Sequence, residues 1–149
     1  MQEATKTVIN PFFVHAMQQM NEDCSLENQN KMVSAMMEAH LLTPVMRQER
    51  EKAEVGRPNL RMNFLSIKDK KGDPYILAFT DLVELKKWSK GKETDRMIME
   101  FDDYARLLAP KGVPFKGFVI NPFSENIVVS KAMAMKLMQR KEELENSQS

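Results

Sequence analysis

Cysteine and histidine are almost absent from this sequence of 149 residues, which contains one cysteine and two histidines. The single cysteine, Cys24, excludes an intrachain disulfide, and nothing indicates an oxidising compartment, so the sequence predicts a cytoplasmic protein. Cys24, His15 and His40 lack the short paired spacings of a structural zinc site, so no metal site is predicted. Nucleophilic catalysis needs a Ser, Cys or Thr beside a base, and no such pairing is evident. These absences favour a protein that is not an enzyme, without deciding the question.

The chain also has few glycines and almost no net charge. None of the five glycines is placed as in a phosphate-binding or dinucleotide-binding loop, so no nucleotide or other cofactor is predicted. The net charge is only +1, which gives no long-range attraction toward nucleic acid or anionic lipid. No apolar run is long enough to span a bilayer, and the N-terminus lacks the pattern of a signal peptide. We therefore expect neither a nucleic-acid partner nor a membrane partner.

The charged residues that do cluster have structural explanations. Lysines surround Trp88, an arrangement that could bind RNA or another anion. Trp88, however, shares a helix face with Leu82 and Leu85, so the lysines are predicted to form the solvated opposite face. The acidic pairs Asp102–Asp103 and Asp81–Glu84 open predicted helices, where carboxylates cap free N–H groups. Capping accounts for both pairs better than general acid and base catalysis does.

Methionine is the residue type in excess, with 13 copies. Methionine-rich surfaces can be adaptable binding surfaces, but methionine also fills gaps in cores. Met32 and Met36 are four positions apart and Met97 and Met99 two apart, which are core spacings for a helix and a strand. The spacing therefore favours core packing.

The chain order predicts an α+β fold: a mixed β-sheet of about five strands flanked by helices, with an N-terminal helical extension. Asn10 is a predicted N-cap for a helix starting at Pro11, and a second helix is predicted from Ser25 or Asn28 to the residues before Pro44. The expected domain limits are 1–27 for the helical extension, 28–145 for the α+β domain and 146–149 for a disordered tail. The remaining predicted strands are "TPVM", "RMNFLSI", "YILAF", "DRMIMEF", "FKGFVI" and "NIVVS", and the remaining predicted helices are "DLVELKKWS", "DYARLLA" and "KAMAMKLMQRKEELE".

Two polar segments interrupt this order. The charged segment 48–59 has almost no apolar period and is predicted to be a solvated loop and the expected site of disorder. In "GFVINPFSENIVV", Asn121 is expected to start a turn by bonding its own backbone, and Pro122 presets the next φ angle. Phe123 is an aromatic residue at the loop tip that turn chemistry does not require.

Three blocks of the sequence, "LLTPV", "YILAFTDLVELKKW" and "FKGFVINPFSENIVVS", resemble the N-terminal domain of the enhanced serine sensitivity (SseB) family of bacteria. The resemblance covers about Asn28 to about Leu137. It implies a small α+β domain in a cytoplasmic bacterial protein, and it brings no catalytic residues to carry over. Phe123 stands where small residues are common in the family, and the helix before Cys24 extends beyond the shared block.

Two hypotheses for the function follow. The first is a non-catalytic cytoplasmic module that binds another protein or a second copy of itself, through exposed aromatics such as Phe12, Phe13 and Phe123. The second is a sensor or enzyme for a small, amino-acid-like metabolite, with a pocket near Thr80 and Asn121. The identity of any small-molecule ligand stays open. The candidate interaction residues are Phe123, Asn121, Pro122, Trp88 and Thr80.

Overall fold

The computed structural model describes residues 2–3, 8–48 and 61–147 of the chain. The predicted loop 48–59 falls outside these ranges except for residue 48, as do residues 148 and 149 of the predicted tail. None of the helices in the described ranges has both the length and the apolar character needed to cross a membrane.

The secondary structure confirms the α+β class. The helices are α1 (Pro11–Glu22), α2 (Leu26–Glu38), α3 (Leu82–Ser89), α4 (Phe101–Leu108) and α5 (Lys131–Ser147). The strands are β1 (Gln2–Glu3), β2 (Leu41–Gln48), β3 (Arg61–Phe64), β4 (Ser66–Lys68), β5 (Pro74–Ala78), β6 (Arg96–Met99), β7 (Gly117–Ile120) and β8 (Ile127–Ser130).

The strands form two sheets rather than a single sheet of about five strands. The first sheet has the order β1-β6-β2-β3 and is antiparallel throughout. The second has the order β4-β5-β7-β8 and is mixed, because β5 and β7 run parallel. Leu42 and Phe79 link the sheets through two backbone hydrogen bonds of 2.8 Å. Leu65 alone separates β3 from β4, and there the chain passes from one sheet to the other.

Strand β5 is buried on both faces, as its uninterrupted apolar sequence predicts. Ile76 and Ala78 belong to the main core, whereas Leu77 and Phe79 belong to a second cluster on the opposite face. Helix α3 covers that second face with Leu85 and Trp88. The prediction that Trp88 shares an apolar face with Leu82 and Leu85 is confirmed.

The prediction that the second helix continues to the residues before Pro44 was wrong, because α2 ends at Glu38 and β2 begins at Leu41. Leu41 enters the main core and Leu42 enters the second cluster, so consecutive side chains point to opposite faces. In a helix, consecutive side chains are only about 100° apart, so the two leucines could not enter clusters on opposite faces. Burial of both leucines by pairing with β6 therefore outweighs helix propensity here.

Buried aromatic residues hold the main core together. Tyr104 of α4 stacks on Phe118 of β7 with ring centroids 4.3 Å apart, and Phe101 meets Phe118 edge to face. The Tyr104 hydroxyl forms a short hydrogen bond with the buried hydroxyl of Thr43 in β2. Burial raises the pKa of the Tyr104 phenol well above its ordinary value. One side-chain pair thus connects α4 with the first sheet inside the core.

Helix α1 packs against α2 and places Phe13, Ala16 and Met17 among the buried residues. Phe13 is only 2% exposed, so the expectation that it is an exposed aromatic was wrong, whereas Phe12 is 86% exposed. The division of the chain at 27/28 is not resolved by these contacts and stays a prediction.

Candidate functional site

The parallel pairing of β5 and β7 brings Thr80 and Asn121 together. Ala78 pairs with Ile120, and the Asn121 N–H donates to the carbonyl of Ala78 at 2.9 Å. The carboxyl ends of two parallel strands lie at one edge of a sheet, so the residues that follow them become neighbours. Two candidate residues that are 41 positions apart in sequence therefore meet at one place.

The turn prediction had the Asn121 side chain bonding its own backbone, and this was wrong, because the side chain bonds other residues. Its Oδ1 accepts a hydrogen bond from the Thr80 N–H at 3.0 Å, and its Nδ2 donates to the Thr80 hydroxyl at 2.9 Å. Nδ2 also donates to Oε1 of Glu125 at 2.8 Å. Asn121 and Thr80 are buried, with 1% and 0% exposure. Asn121 therefore ties the loop between β7 and β8 to the start of α3.

The backbone of this loop forms a compact turn. Asn121 has a left-handed φ of 49°, a conformation that asparagine tolerates better than most residues. Its carbonyl accepts hydrogen bonds from the N–H groups of Ser124 and Asn126, both at 2.9 Å. The expected bend at Asn121-Pro122 is therefore present, and the half-buried Pro122 is its second residue.

The outer side of the loop is bound to helix α3. The Ser124 hydroxyl donates to Oε1 of Glu84 at 2.6 Å and accepts from Nζ of Lys87 at 2.8 Å. Lys87 also pairs with Oε2 of Glu84 at 2.6 Å. The hydrogen bond to Glu84 raises the pKa of the Lys87 ammonium. The Glu84 side chain therefore binds the loop through Ser124 and pairs with Lys87.

Phe123 lies between these two anchors and is 57% exposed. Asn121 holds the chain on one side of it and Ser124 on the other. Val83, one turn before Lys87 on α3, is also exposed, at 68%. We call Phe123, Val83, Glu84, Lys87 and Ser124 the Phe123 surface.

Trp88 is placed differently from the other candidate residues. It is half-buried in the second apolar cluster, and its ring centroid lies 6.2 Å from that of Phe79. Lys86, Lys87 and Lys90 are exposed, as expected for the solvated face of α3. The structure therefore places Trp88 with the core residues beneath α3, apart from the Phe123 surface.

Asn10 was predicted only as a helix cap, and sequence reasoning missed its role in this region. It precedes α1 but its side chain makes no capping hydrogen bond. Its Nδ2 donates to the carbonyls of His40 and Thr80, both at 2.7 Å, and its Oδ1 accepts from the His40 N–H at 3.1 Å. The Asn-Pro dipeptide suggested only a local cap. Its real partners are 30 and 70 positions away, and no local pattern signals them.

Among the described residues, two cavities that border the loop lie beside α1 and on the second sheet. One of about 390 Å³ lies between the end of α1 and the loop and includes Met17, Cys24, Ser124 and Glu125. The other, about 350 Å³, includes Ile67, Tyr75, Pro122 and Val128 on the second sheet. Both volumes lie within the range of small-molecule sites.

His15 is exposed on α1, and His40 and Cys24 have structural partners. His40 is in the link between α2 and β2, not in a helix, and its Nε2 lies 2.9 Å from Oε1 of Glu100. The exposed Cys24 thiol donates to the carbonyl of Met20 at 3.3 Å. Across the described ranges, no three His, Cys, Asp or Glu side chains are grouped to hold a metal ion.

The capping hypothesis for the two acidic pairs is correct for Asp81 and Asp103 but not for Asp102. Asp81 caps α3 by accepting from the Glu84 N–H at 3.0 Å. Helix α4 starts earlier than expected, with Glu100 as N-cap, and Asp103 accepts from the Glu100 N–H at 2.9 Å. Asp102 is not a cap, because it binds Nζ of Lys141 on α5 at 2.9 and 3.0 Å.

The family model for the SseB protein N-terminal domain matches residues 13–133, which is most of the chain. This protein belongs to the SseB family. The match confirms the resemblance carried by the three sequence blocks, and it includes the Phe123 surface. It also includes most of α1, so the expectation that the helix before Cys24 lies beyond the shared block was wrong for residues 13–22. No curated protein and no solved structure gives a significant match.

Proposed function

We propose that this SseB-family protein is a non-catalytic binding module of the bacterial cytoplasm, and that it contacts another protein through the Phe123 surface. The observation that carries the proposal is the exposure of Phe123, at 57%, on a loop held by side-chain hydrogen bonds on both sides. Aromatic side chains are enriched among the residues that dominate binding energy at protein interfaces.

The fixed geometry of the loop supports this role. Binding costs free energy when a loop and its side chains must be ordered, and a preformed loop avoids much of that cost. Asn121 is buried beneath the loop, and the contact of Ser124 with Glu84 and Lys87 restrains its outer side. The ring of Phe123 is therefore presented to solvent from a preorganised backbone.

The residues grouped as the Phe123 surface have a composition typical of a protein contact. Val83 adds a second exposed apolar side chain, and the Glu84–Lys87 pair adds charges at its edge. An apolar centre with a polar rim is the usual arrangement at such interfaces. The partner expected for this surface carries a shallow apolar depression able to accept one aromatic ring.

Affinity capture from the native cell, quantified by mass spectrometry, tests the proposal. Phe123→Ala is compared with the wild-type chain and with Phe12→Ala, which removes the same ring from an 86% exposed position on α1. We expect Phe123→Ala to lose at least one captured protein by about tenfold or more, since interface anchors contribute about 2 kcal/mol. Phe12→Ala should retain it.

The melting temperature separates binding from folding. An exposed contact residue can be truncated with little change in stability, within about 0.5 kcal/mol. A fall of several degrees for Phe123→Ala would instead make Phe123 a structural residue. Identical captured proteins for wild type and Phe123→Ala would also contradict the proposal.

The cavity of about 390 Å³ beside Glu125 favours a second candidate, the binding of a small, amino-acid-like metabolite. Glu125 lines this cavity and is positioned by its hydrogen bond from Asn121. Its carboxylate could bind the ammonium group of such a ligand. Thr80 and Asn121, which are both buried, would then act by holding Glu125 in position rather than by contacting the ligand.

A thermal-shift screen with amino acids and nucleotides tests this second candidate. A ligand present at 100 times its dissociation constant stabilises a protein by about 2.7 kcal/mol. The shift should be lost in Glu125→Gln and kept in Glu142→Gln, an exposed change on α5. Absence of any shift at millimolar concentrations would count against the pocket.

A further inference from the structure

Thr80 is bonded to three different parts of the structure at once. Its N–H donates to Oδ1 of Asn121 at 3.0 Å, and its carbonyl accepts from Nδ2 of Asn10 at 2.7 Å. Its hydroxyl donates at 3.0 Å to Oδ2 of Asp81, the N-cap of α3. Thr80 is fully buried, so water does not readily replace a partner that is lost.

Asn10 connects Thr80 to the start of α1. Its Nδ2 donates to the carbonyls of Thr80 and His40, and its Oδ1 accepts from the His40 N–H. The first turn of α1 has neither a side-chain cap nor an acidic residue, which are the usual local supports of a helix start. The side chain of Asn10 is therefore held by distant backbone groups and not by its own helix.

Asn121 carries the contact from Thr80 into residues 121–126, which we call the Phe123 loop. Its carbonyl accepts hydrogen bonds from the N–H groups of Ser124 and Asn126, both at 2.9 Å, and these bonds close the turn. The left-handed φ of 49° at Asn121 is an uncommon conformation, and it persists because the surrounding contacts hold it. The shape of the loop thus depends on the grip of Thr80 on Asn121.

We propose that Asn10 is a positioning residue for Phe123, and that it acts through Thr80 and Asn121 to set how firmly the Phe123 loop is held. The inference rests on the proposed function of the Phe123 surface and describes its regulation by the start of α1. When Asn10 releases the Thr80 carbonyl, residue 80 can shift, and its N–H and hydroxyl move relative to Asn121. The loop then opens more often, and a partner loses binding free energy to ordering it.

This coupling has to act in both directions. If release of Asn10 favours opening of the loop, opening of the loop favours release of Asn10 by the same factor. Each end has a backbone amide that reports on it. The His40 N–H bonds Oδ1 of Asn10 at 3.1 Å, and the N–H groups of Ser124 and Asn126 bond the Asn121 carbonyl. Hydrogen exchange at these amides therefore measures both ends without any partner.

Amide hydrogen exchange of the full chain, followed by NMR, tests the inference. Asn10→Asp keeps the size of the side chain but replaces the NH2 donor by an oxygen that cannot donate to the Thr80 carbonyl. Aspartate is also a good N-cap, so α1 itself is not weakened. We expect the amides of Ser124 and Asn126 to exchange about fivefold faster, the factor that corresponds to one hydrogen bond.

Asn28→Ala is the matched control for this variant. The Asn28 side chain also bonds two backbone carbonyls, those of Gln19 and Asp23, but at the other end of α1. It should leave the exchange of the loop amides unchanged. An effect on the loop equal to that of Asn10→Asp would mean that any loosening of α1 suffices, and this would overturn the inference.

Asn121→Gly tests the reverse direction. We expect the His40 amide to exchange about fivefold faster, because the loop no longer holds Thr80. In the double variant Asn10→Asp/Asn121→Gly, the loop amides should exchange at the rate of Asn121→Gly alone. Additive effects of the two substitutions would contradict a path through Thr80.

Affinity capture then separates this inference from the proposed function. Binding of the protein whose capture depends on Phe123 should weaken about fivefold in Asn10→Asp and stay unchanged in Asn28→Ala. If no captured protein depends on Phe123 while the exchange effects are present, the proposed function fails and the coupling of Asn10 to the loop stands. If loop exchange in Asn10→Asp equals that of wild type, the coupling fails whatever Phe123 binds.

Discussion

Asn121 and Thr80 exchange two hydrogen bonds in a buried position, so that the amide of one residue satisfies both the N–H and the hydroxyl of the other. Asn121→Ala leaves the Thr80 N–H without its partner and places alanine at a φ of 49°. We expect a loss of about 3 kcal/mol in the free energy of unfolding, measured by urea denaturation. Asn121→Gly removes the same hydrogen bonds without backbone strain and should be less destabilised by about 1 kcal/mol. Equal stabilities of the two variants would show that the left-handed backbone matters little.

The Tyr104–Thr43 pair gives a second prediction. Tyr104→Phe removes the hydroxyl group that bonds Thr43 in the core, and the buried Thr43 hydroxyl then lacks that partner. We expect a loss of about 1–3 kcal/mol in the free energy of unfolding. Thr43→Val in the Tyr104→Phe background removes the orphaned group, so the double variant should lose less than the sum of the single variants. Additive losses would argue against a direct bond.

The raised pKa of Tyr104 predicts a dependence of stability on alkaline pH. The unfolded phenol ionises near pH 10, whereas the folded phenol keeps its proton to a higher pH because burial disfavours the phenolate. Between these two pKa values the folded state binds one more proton, so the stability falls as the pH rises, by about 1.4 kcal/mol per unit. Urea denaturation from pH 9 to 11 should show a steeper decline in wild type than in Tyr104→Phe. Parallel curves would contradict the prediction.

Gly117 in β7 gives a steric prediction. A Cβ atom built at this position would lie 2.1 Å from the carbonyl oxygen of Val129 in β8, which is far inside normal contact. Gly117→Ala must therefore separate two paired strands, with an expected loss of about 3 kcal/mol or more. Gly112→Ala is the matched control, because its Cβ meets open space and only its φ of 86° opposes the change, at about 1 kcal/mol. A smaller loss at Gly117 than at Gly112 would be inconsistent with the close approach.

The contact between Asp102 and Lys141 joins α4 to α5 and should be moderately stabilising. Both side chains are partly exposed, at 26% and 33%, so solvent screens the pair. Asp102→Asn should lower the free energy of unfolding by about 1 kcal/mol at low salt, with a smaller effect at high salt. Arg106→Gln removes a more exposed and longer contact, to Asp103 at 3.8 Å, and serves as the control. Equal losses from the two substitutions would mean that the bridge to α5 adds nothing.

Sequence patterns within one segment predicted the start of α1 and the burial of β5. Helix α1 begins at Pro11, as its Asn-Pro dipeptide indicated, and the uninterrupted apolar run of β5 proved to be buried on both faces. The end of α2 could not be predicted in this way. Leu41 and Leu42 have helical propensity, but they can enter the two different apolar clusters only as part of a strand.

The sequence pointed to Asn10 and Asn121 but not to the residues that their side chains bond. Asn10 and Asn121 both precede a proline, and both were interpreted through local chemistry as a cap and a turn. Their side chains instead bond Thr80, which is 70 and 41 positions away respectively. Such partners depend on the parallel pairing of β5 with β7 and on the packing of α1. The sequence therefore indicates which polar residue matters but not its distant hydrogen-bond partner.

The two sheets are interleaved along the chain. Strands β1 to β3 belong to the first sheet, β4 and β5 to the second, β6 returns to the first, and β7 and β8 to the second. No single cut can divide the polypeptide into fragments that each contain one complete sheet. The most protected backbone amides of both sheets should therefore exchange with solvent deuterium at a common rate, set by opening of the whole domain. Complementary fragments cleaved between β5 and β6 should regain structure only when they are mixed.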